Sequence, residues 1–98
     1  MQFTIIAHDD TAEGTLERRL ANRDEHLERI HALKAEGVII DGGAMLDEAG
    51  KMVGSIVLCE VPDRAALDAL IANEIYYQQG VWKNLSILPF RRVAWHSA

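Results

Sequence analysis

A Pro-free stretch rich in Leu, Glu, Arg and Ala runs from about Thr11 or Thr15 to Glu36 and stops at Gly37, with short β-branched runs on both sides. Leu16, Leu20, Leu27 and Ile30 recur at helical spacing, so one long helix is expected here. Gly37 suits its end, because glycine takes the left-handed conformation without a Cβ clash. The flanking runs, Gln2 to His8 before and Val38 to Asp41 after, read as strands. A helix bracketed by strands has to bury its apolar face on the sheet they form.

The rest of the chain repeats that theme. Val38-Ile39-Ile40-Asp41 enters Gly42-Gly43, Asp47-Glu48-Ala49-Gly50 reads as a hairpin turn, and Lys51 to Glu60 as the returning strand. Pro62 and Asp63 open a second helix, Arg64 to about Ala72, with Ala65, Ala66, Leu67, Leu70 and Ile71 as its apolar stripe. Residues 73–80 give no clear period, and Val81 to Val93 reads as the last strand. The order β-α-β-β-α-β without linker or repeat predicts a single domain over residues 1–98. Its class is α+β, ferredoxin-like: a four-stranded antiparallel sheet with two helices on one face. Apolar residues stand at both parities of the strands, Phe3, Ile5 and Ala7 against Ile6, and Ile56 and Leu58 against Val53 and Val57. The open sheet face is therefore expected to be covered, most simply by a second copy in a homodimer.

Charge and cysteine usage narrow the function. A formal net charge of −5 and a pI near 5.2 argue against nucleic acid and anionic membrane, which need a dense Lys/Arg footprint. Cys59 is the one cysteine, inside an apolar run, so it has no partner for an internal disulfide. That usage, with no stretch long enough to span a bilayer, leads to a cytoplasmic expectation.

On a helical wheel Arg23 falls inside the Leu16, Leu20, Leu27 and Ile30 stripe, and Arg19 and His26 lie on its flank. A guanidinium facing a core needs a carboxylate or an exit to water, and Asp9 and Asp10 at the end of the first strand are the candidate partners. The ordinary reading of Arg23 is a stem that covers apolar surface with its head in solvent. For His26 it is a hydrogen-bonded surface residue, although histidine is also the side chain best placed to move protons near neutrality. His31 projects away from the stripe, and His8 and His96 have weaker claims. His8, Asp9, Asp10 and His26 match no metal-binding spacing, so neither a metal nor any other cofactor is expected. Gly42-Gly43 is too short for a phosphate loop and reads as a bulge or a close backbone approach. Ser55 has no nucleophile-elbow context and reads as a small strand residue facing a pocket. Tyr76, Tyr77, Trp82 and Phe90 read as core or dimer aromatics.

Together Ile6-Ala7-His8-Asp9, Glu17-Arg18-Arg19-Leu20-Ala21-Asn22-Arg23-Asp24-Glu25-His26-Leu27, Glu36-Gly37 through Gly43, Gly80-Val81 and Leu88-Pro89-Phe90-Arg91-Arg92-Val93 resemble the YCII-related (YciI-like) proteins. The resemblance spans nearly the whole chain. It implies a dimeric α+β barrel with an active site on a His-Asp pair, His26 and Asp9 here. It also implies small oxygenated rings as substrates, since one member type is a dehydrochlorinase and the wider superfamily includes muconolactone isomerases. Ala44 and Ile75 stand where relatives often carry Pro, and Asp41 stands where they often carry a small neutral residue, adding a carboxylate near the pocket mouth.

These readings converge on a cofactor-free lyase or isomerase acting by proton transfer or dehydrochlorination on a small ring. His26 would be the acid/base, Asp9 its orienting partner, and Arg23 and Arg19 the holders of an anionic oxygen, with Asp41 and Ser55 at the pocket. A small-molecule binding or sensing module without turnover, and a plain dimerisation domain, are the alternatives.

Overall fold

The computed structural model describes residues 1–95, so His96 lies outside the described residues. Four strands, β1 (Gln2–Asp9), β2 (Ile39–Leu46), β3 (Met52–Glu60) and β4 (Trp82–Phe90), form one antiparallel sheet in the order β2-β3-β1-β4. The helices are α1 (Thr15–Ala21), α2 (Arg23–Ala35), α3 (Arg64–Ala72) and the four-residue α4 (Ile75–Gln78). The β-α-β-β-α-β plan is present, in an α+β fold. None of the described helices is long and apolar enough to cross a membrane.

Alternation decides which sheet face meets the helices. Phe3, Ile5, Ala7 and Asp9 of β1, and Ser55, Val57 and Cys59 of β3, point inward, where they meet Leu67, Ile71 and Tyr76. The opposite face carries Ile56, Leu88 and Phe90, each over two-fifths exposed, with Ile6 and Leu58 partly buried.

The expected first helix is two helices. Asn22 (φ −103°) ends α1 and starts α2, and its side-chain nitrogen donates to the Arg18 carbonyl at 2.9 Å. An unbroken wheel therefore misplaces residues on either side. Leu20 is exposed, and the buried pair of α1 is Thr15 and Arg19, four apart. Residues 73–80 hold α4, which ends like α2. Gly37 (φ 79°) and Gly80 (φ 71°) each let the chain turn back so that Val38 donates to Leu33 O and Val81 to Tyr76 O, satisfying carbonyls of the last turn. The last strand stops at Phe90, three residues earlier than the alternation suggested.

Candidate active site

The inward face of the sheet and the helices enclose a cavity of about 210 Å³ between α1–α2, α4 and the β2–β3 hairpin. Arg19, Arg23, His26, Ser55 and Tyr76 supply its polar lining, and Leu27, Ile30, Ile39 and Val57 much of the rest. Gly42 closes one wall. A Cβ there would stand 2.8 Å from the Ile56 carbonyl oxygen, so strand pairing at this point leaves no room for a side chain.

Two carboxylates organise the polar side. Asp9, at the end of β1, accepts from Arg19 Nη1 on both of its oxygens at 2.9 Å, with both side chains 5% exposed or less. Arg19 Nη2 donates to Ser55 Oγ at 3.0 Å, and Trp82 Nε1 donates to the same hydroxyl at 3.2 Å. Arg19 Nε is buried and has no hydrogen-bond partner among the described residues. Burial raises the Asp9 carboxyl above its ordinary value, and the Arg19 charge and hydrogen bond oppose that rise.

The second carboxylate is Glu74. It caps the short α4, where Oε2 accepts from the Tyr76 amide at 2.9 Å, and the same oxygen lies 2.9 Å from His26 Nδ1. Arg29 Nη1 stands 3.5 Å from the other oxygen and Arg29 Nη2 donates to Leu70 O at 3.2 Å. Glu74 is 2% exposed, so such a carboxylate is tolerated only because it is paired. The two networks meet at Tyr76. Its ring stacks on the His26 imidazole at 4.0 Å and 13°, and Arg19 Cζ lies 4.7 Å from its centroid. Burial chiefly raises the Tyr76 phenol, against the lowering fields of Arg19 and Arg23.

The structure thus brings together His26, Arg19, Arg23 and Ser55, and rearranges their partners. Asp9 and His26 share no hydrogen bond: the guanidinium of Arg19 takes both Asp9 oxygens, and the carboxylate on His26 belongs to Glu74. The carboxylate expected for Arg23 serves Arg19 instead. Arg23 is exposed at the cavity with no ion-pair partner among the described residues. Asp41 is away from the cavity. A register shift between Ile39 and Asp41 sets Asp41 opposite Leu58, on the outer face of the sheet, whereas Ile39 faces inward opposite Cys59. Glu74 and Arg29 were not anticipated. The one local sign was an acidic residue directly before Ile75-Tyr76-Tyr77, in a segment without periodicity. Among the described residues no group of three or more His, Cys, Asp or Glu is placed to hold a metal.

The fold and this cavity define a ferredoxin-like α+β domain with a partly polar cavity under its helices. The chain belongs to the YCII-related domain family, whose model matches residues 1–91. It is 34% identical to an uncharacterised protein of Haemophilus influenzae and 32% identical to the protein YciI of Escherichia coli, in each case over 95% of this chain and 99% of the relative. Its structure is similar to 5-chloro-2-hydroxyhydroquinone dehydrochlorinase from Burkholderia phenoliruptrix in complex with 2,5-dihydroxybenzoquinone, with a TM-score of 0.81 over 95% of this chain and 96% of that one. The sequence identity in that comparison is 23%, so it establishes the shared fold.

Proposed function

We propose that the chain is a cofactor-free enzyme of lyase or isomerase type, acting on a small oxygenated ring with His26 as acid/base. The observation that carries this is the meeting, in one cavity of about 210 Å³, of a half-buried imidazole with Arg23, which has no ion-pair partner among the described residues, and the buried Arg19. A cavity of about 150 Å³ is enough for benzene, so a single ring with a few oxygens is the right scale. His26 takes a proton from a carbon beside a carbonyl, and the electron pair moves to the carbonyl oxygen, where Arg23 and Arg19 offset the charge. Collapse of that enolate expels a leaving group with its bonding pair, which is elimination, or reprotonation at another carbon gives an isomer. Asp9 and Ser55 act through Arg19 by fixing its guanidinium plane. The dehydrochlorinase of similar fold makes a chlorinated hydroquinone the first substrate to try.

The open sheet face belongs to the same reading. Ile56, Leu88 and Phe90 form an exposed apolar patch with Ile6 and Leu58, and a second copy packed sheet to sheet would bury it as a dimeric α+β barrel. The net charge of −5 supports a small-molecule partner over nucleic acid, and the single buried Cys59 accords with a cytoplasmic setting.

The test has two parts. Binding of 2,5-dihydroxybenzoquinone is measured by calorimetry for wild type, His26→Gln and Arg23→Met, and chloride release from 5-chloro-2-hydroxyhydroquinone is followed for the same proteins. The enzyme reading expects His26→Gln to bind and not turn over, and Arg23→Met to bind weakly. A wild type that binds and never releases chloride or isomerises related rings, indistinguishable from His26→Gln, makes the site a binding module.

A further inference from the structure

We propose that Glu74 is the positioning residue of His26: its carboxylate keeps a proton on Nδ1 and so leaves Nε2 as the reactive nitrogen of the cavity. This rests on the acid/base reading given above and adds the residue and the atom. A carboxylate paired with an arginine only accepts hydrogen bonds, so the 2.9 Å contact with Nδ1 requires the hydrogen on that nitrogen. Three features make the contact rigid. The same Oε2 is pinned by the Tyr76 amide, Oε1 faces Arg29, and the imidazole is stacked on Tyr76 with Trp82 edge-on at 6.5 Å. Neither ring nor carboxylate can turn without breaking a second interaction.

The charged and titratable groups around the pair come from every neighbouring element. Arg23 and Arg29 stand on α2, Arg19 on α1, Asp9 on β1, and Tyr76 on α4. None of these is hydrogen-bonded to the imidazole; among the described residues that partner is Glu74 alone. Proton uptake at Nε2 therefore creates a cation that Glu74 already faces, and the enolate formed in the same step faces the arginines.

A merely structural Glu74 would cap α4 and do nothing to the imidazole, and two substitutions separate the cases. Glu74→Asp keeps a good N-cap for Tyr76 but is one methylene too short to serve His26 as well. Glu74→Gln keeps an acceptor oxygen for both. The readout is the long-range ¹H–¹⁵N spectrum of histidine-labelled protein above the titration of the rings, with His26 assigned by loss of its signals in His26→Gln. Wild type and Glu74→Gln are expected to show pyrrole-type Nδ1 and pyridine-type Nε2 for His26. Glu74→Asp is expected to move toward the Nε2–H form that free histidine favours. An Nε2–H tautomer of His26 in wild type overturns the proposal by itself, whether or not either Glu74 variant folds. An unchanged Nδ1–H signal in folded Glu74→Asp overturns it as well. Neither result depends on turnover, so the proposal and the enzyme reading fail separately.

Discussion

Removing Asp9 should cost far more stability than removing any exposed carboxylate, and more than removing its partner Arg19. Both side chains are at least 95% buried, and Asp9→Ala leaves a guanidinium that cannot deprotonate with one remaining protein acceptor, Ser55 Oγ. Breaking a buried pair from one side costs about 3–5 kcal/mol. A domain of this size has roughly 5–15 kcal/mol in total, and each 1 kcal/mol moves Tm by about 4–8 °C, so the midpoint should fall by at least about 12 °C. Arg19→Met is milder, because the stranded Asp9 carboxyl, already raised by burial, can take a proton. A carboxyl whose folded value lies above its unfolded value favours the folded state at low pH and loses that advantage as pH rises through the folded value. The cost of Arg19→Met should therefore be smaller near pH 5 than near pH 8, whereas that of Asp9→Ala, which removes the titrating carboxyl altogether, should not grow as pH rises. Urea unfolding followed by tryptophan fluorescence reports both, since Trp82 is buried in the same network. Should Asp9→Ala lose less than about 1 kcal/mol, or the double-mutant cycle show negligible coupling, the pair is no better than a surface salt bridge and the reasoning fails.

His26→Gln should lower kcat on a competent substrate by about 10²–10⁴-fold with ligand affinity largely kept, and equal losses in both would point to a packing role. Arg23→Met should weaken binding of an anionic ring by about 10–100-fold, the size of one charge-assisted hydrogen bond, as read by calorimetry. Sedimentation should find a dimer at micromolar concentration, and Ile56→Lys on the open face should yield monomers. Burial raises the Cys59 thiol, so alkylation should be slow in native protein and fast in urea. Tyr76 should ionise above the ordinary tyrosine range. Its contribution to stability is full below the unfolded value and is lost as pH rises through the folded one, a phase visible in alkaline absorbance titration.

Element order was readable because each strand and helix carries its own period. Two failures share a cause: one residue that breaks the period. Asn22 interrupts the helical stretch without Gly or Pro to announce it, so a wheel drawn through it puts Leu20 inside, whereas Leu20 is exposed and Arg23 reaches solvent as its ordinary reading had it. The bulge after Ile39 moves Asp41 to the other sheet face, and Asp41-Gly42-Gly43 carries no mark of which residue is extra. Glu74 was hidden for a different reason. Its partner is 48 residues away in sequence, and a lone Glu before a four-residue helix reads as surface until the helix is folded against His26. His26, Arg19 and Ser55 were visible as residues, and their partners were not, because pairing across elements is set by packing that no local pattern encodes.

A charge count over the site supports the proposed binding of an anion inside an acidic protein. Asp9 balances Arg19 and Glu74 balances Arg29, each within salt-bridge distance, which leaves Arg23, among the described residues, as the uncompensated charge on the cavity wall when the imidazole is neutral. The empty site then has net charge of about +1 against −5 for the whole chain. In the proposed reaction, uptake of a substrate proton by His26 would raise the protein side to about +2 at the moment the substrate becomes an enolate. The new opposite charges lie together in a cavity whose other walls are apolar, where their attraction is stronger than in water. A site meant only to bind a neutral ring would have no use for that imbalance. Two buried carboxylates held by two arginines, with a third arginine that has no ion-pair partner among the described residues beside a histidine, match what the proposed reaction asks of a site where negative charge develops.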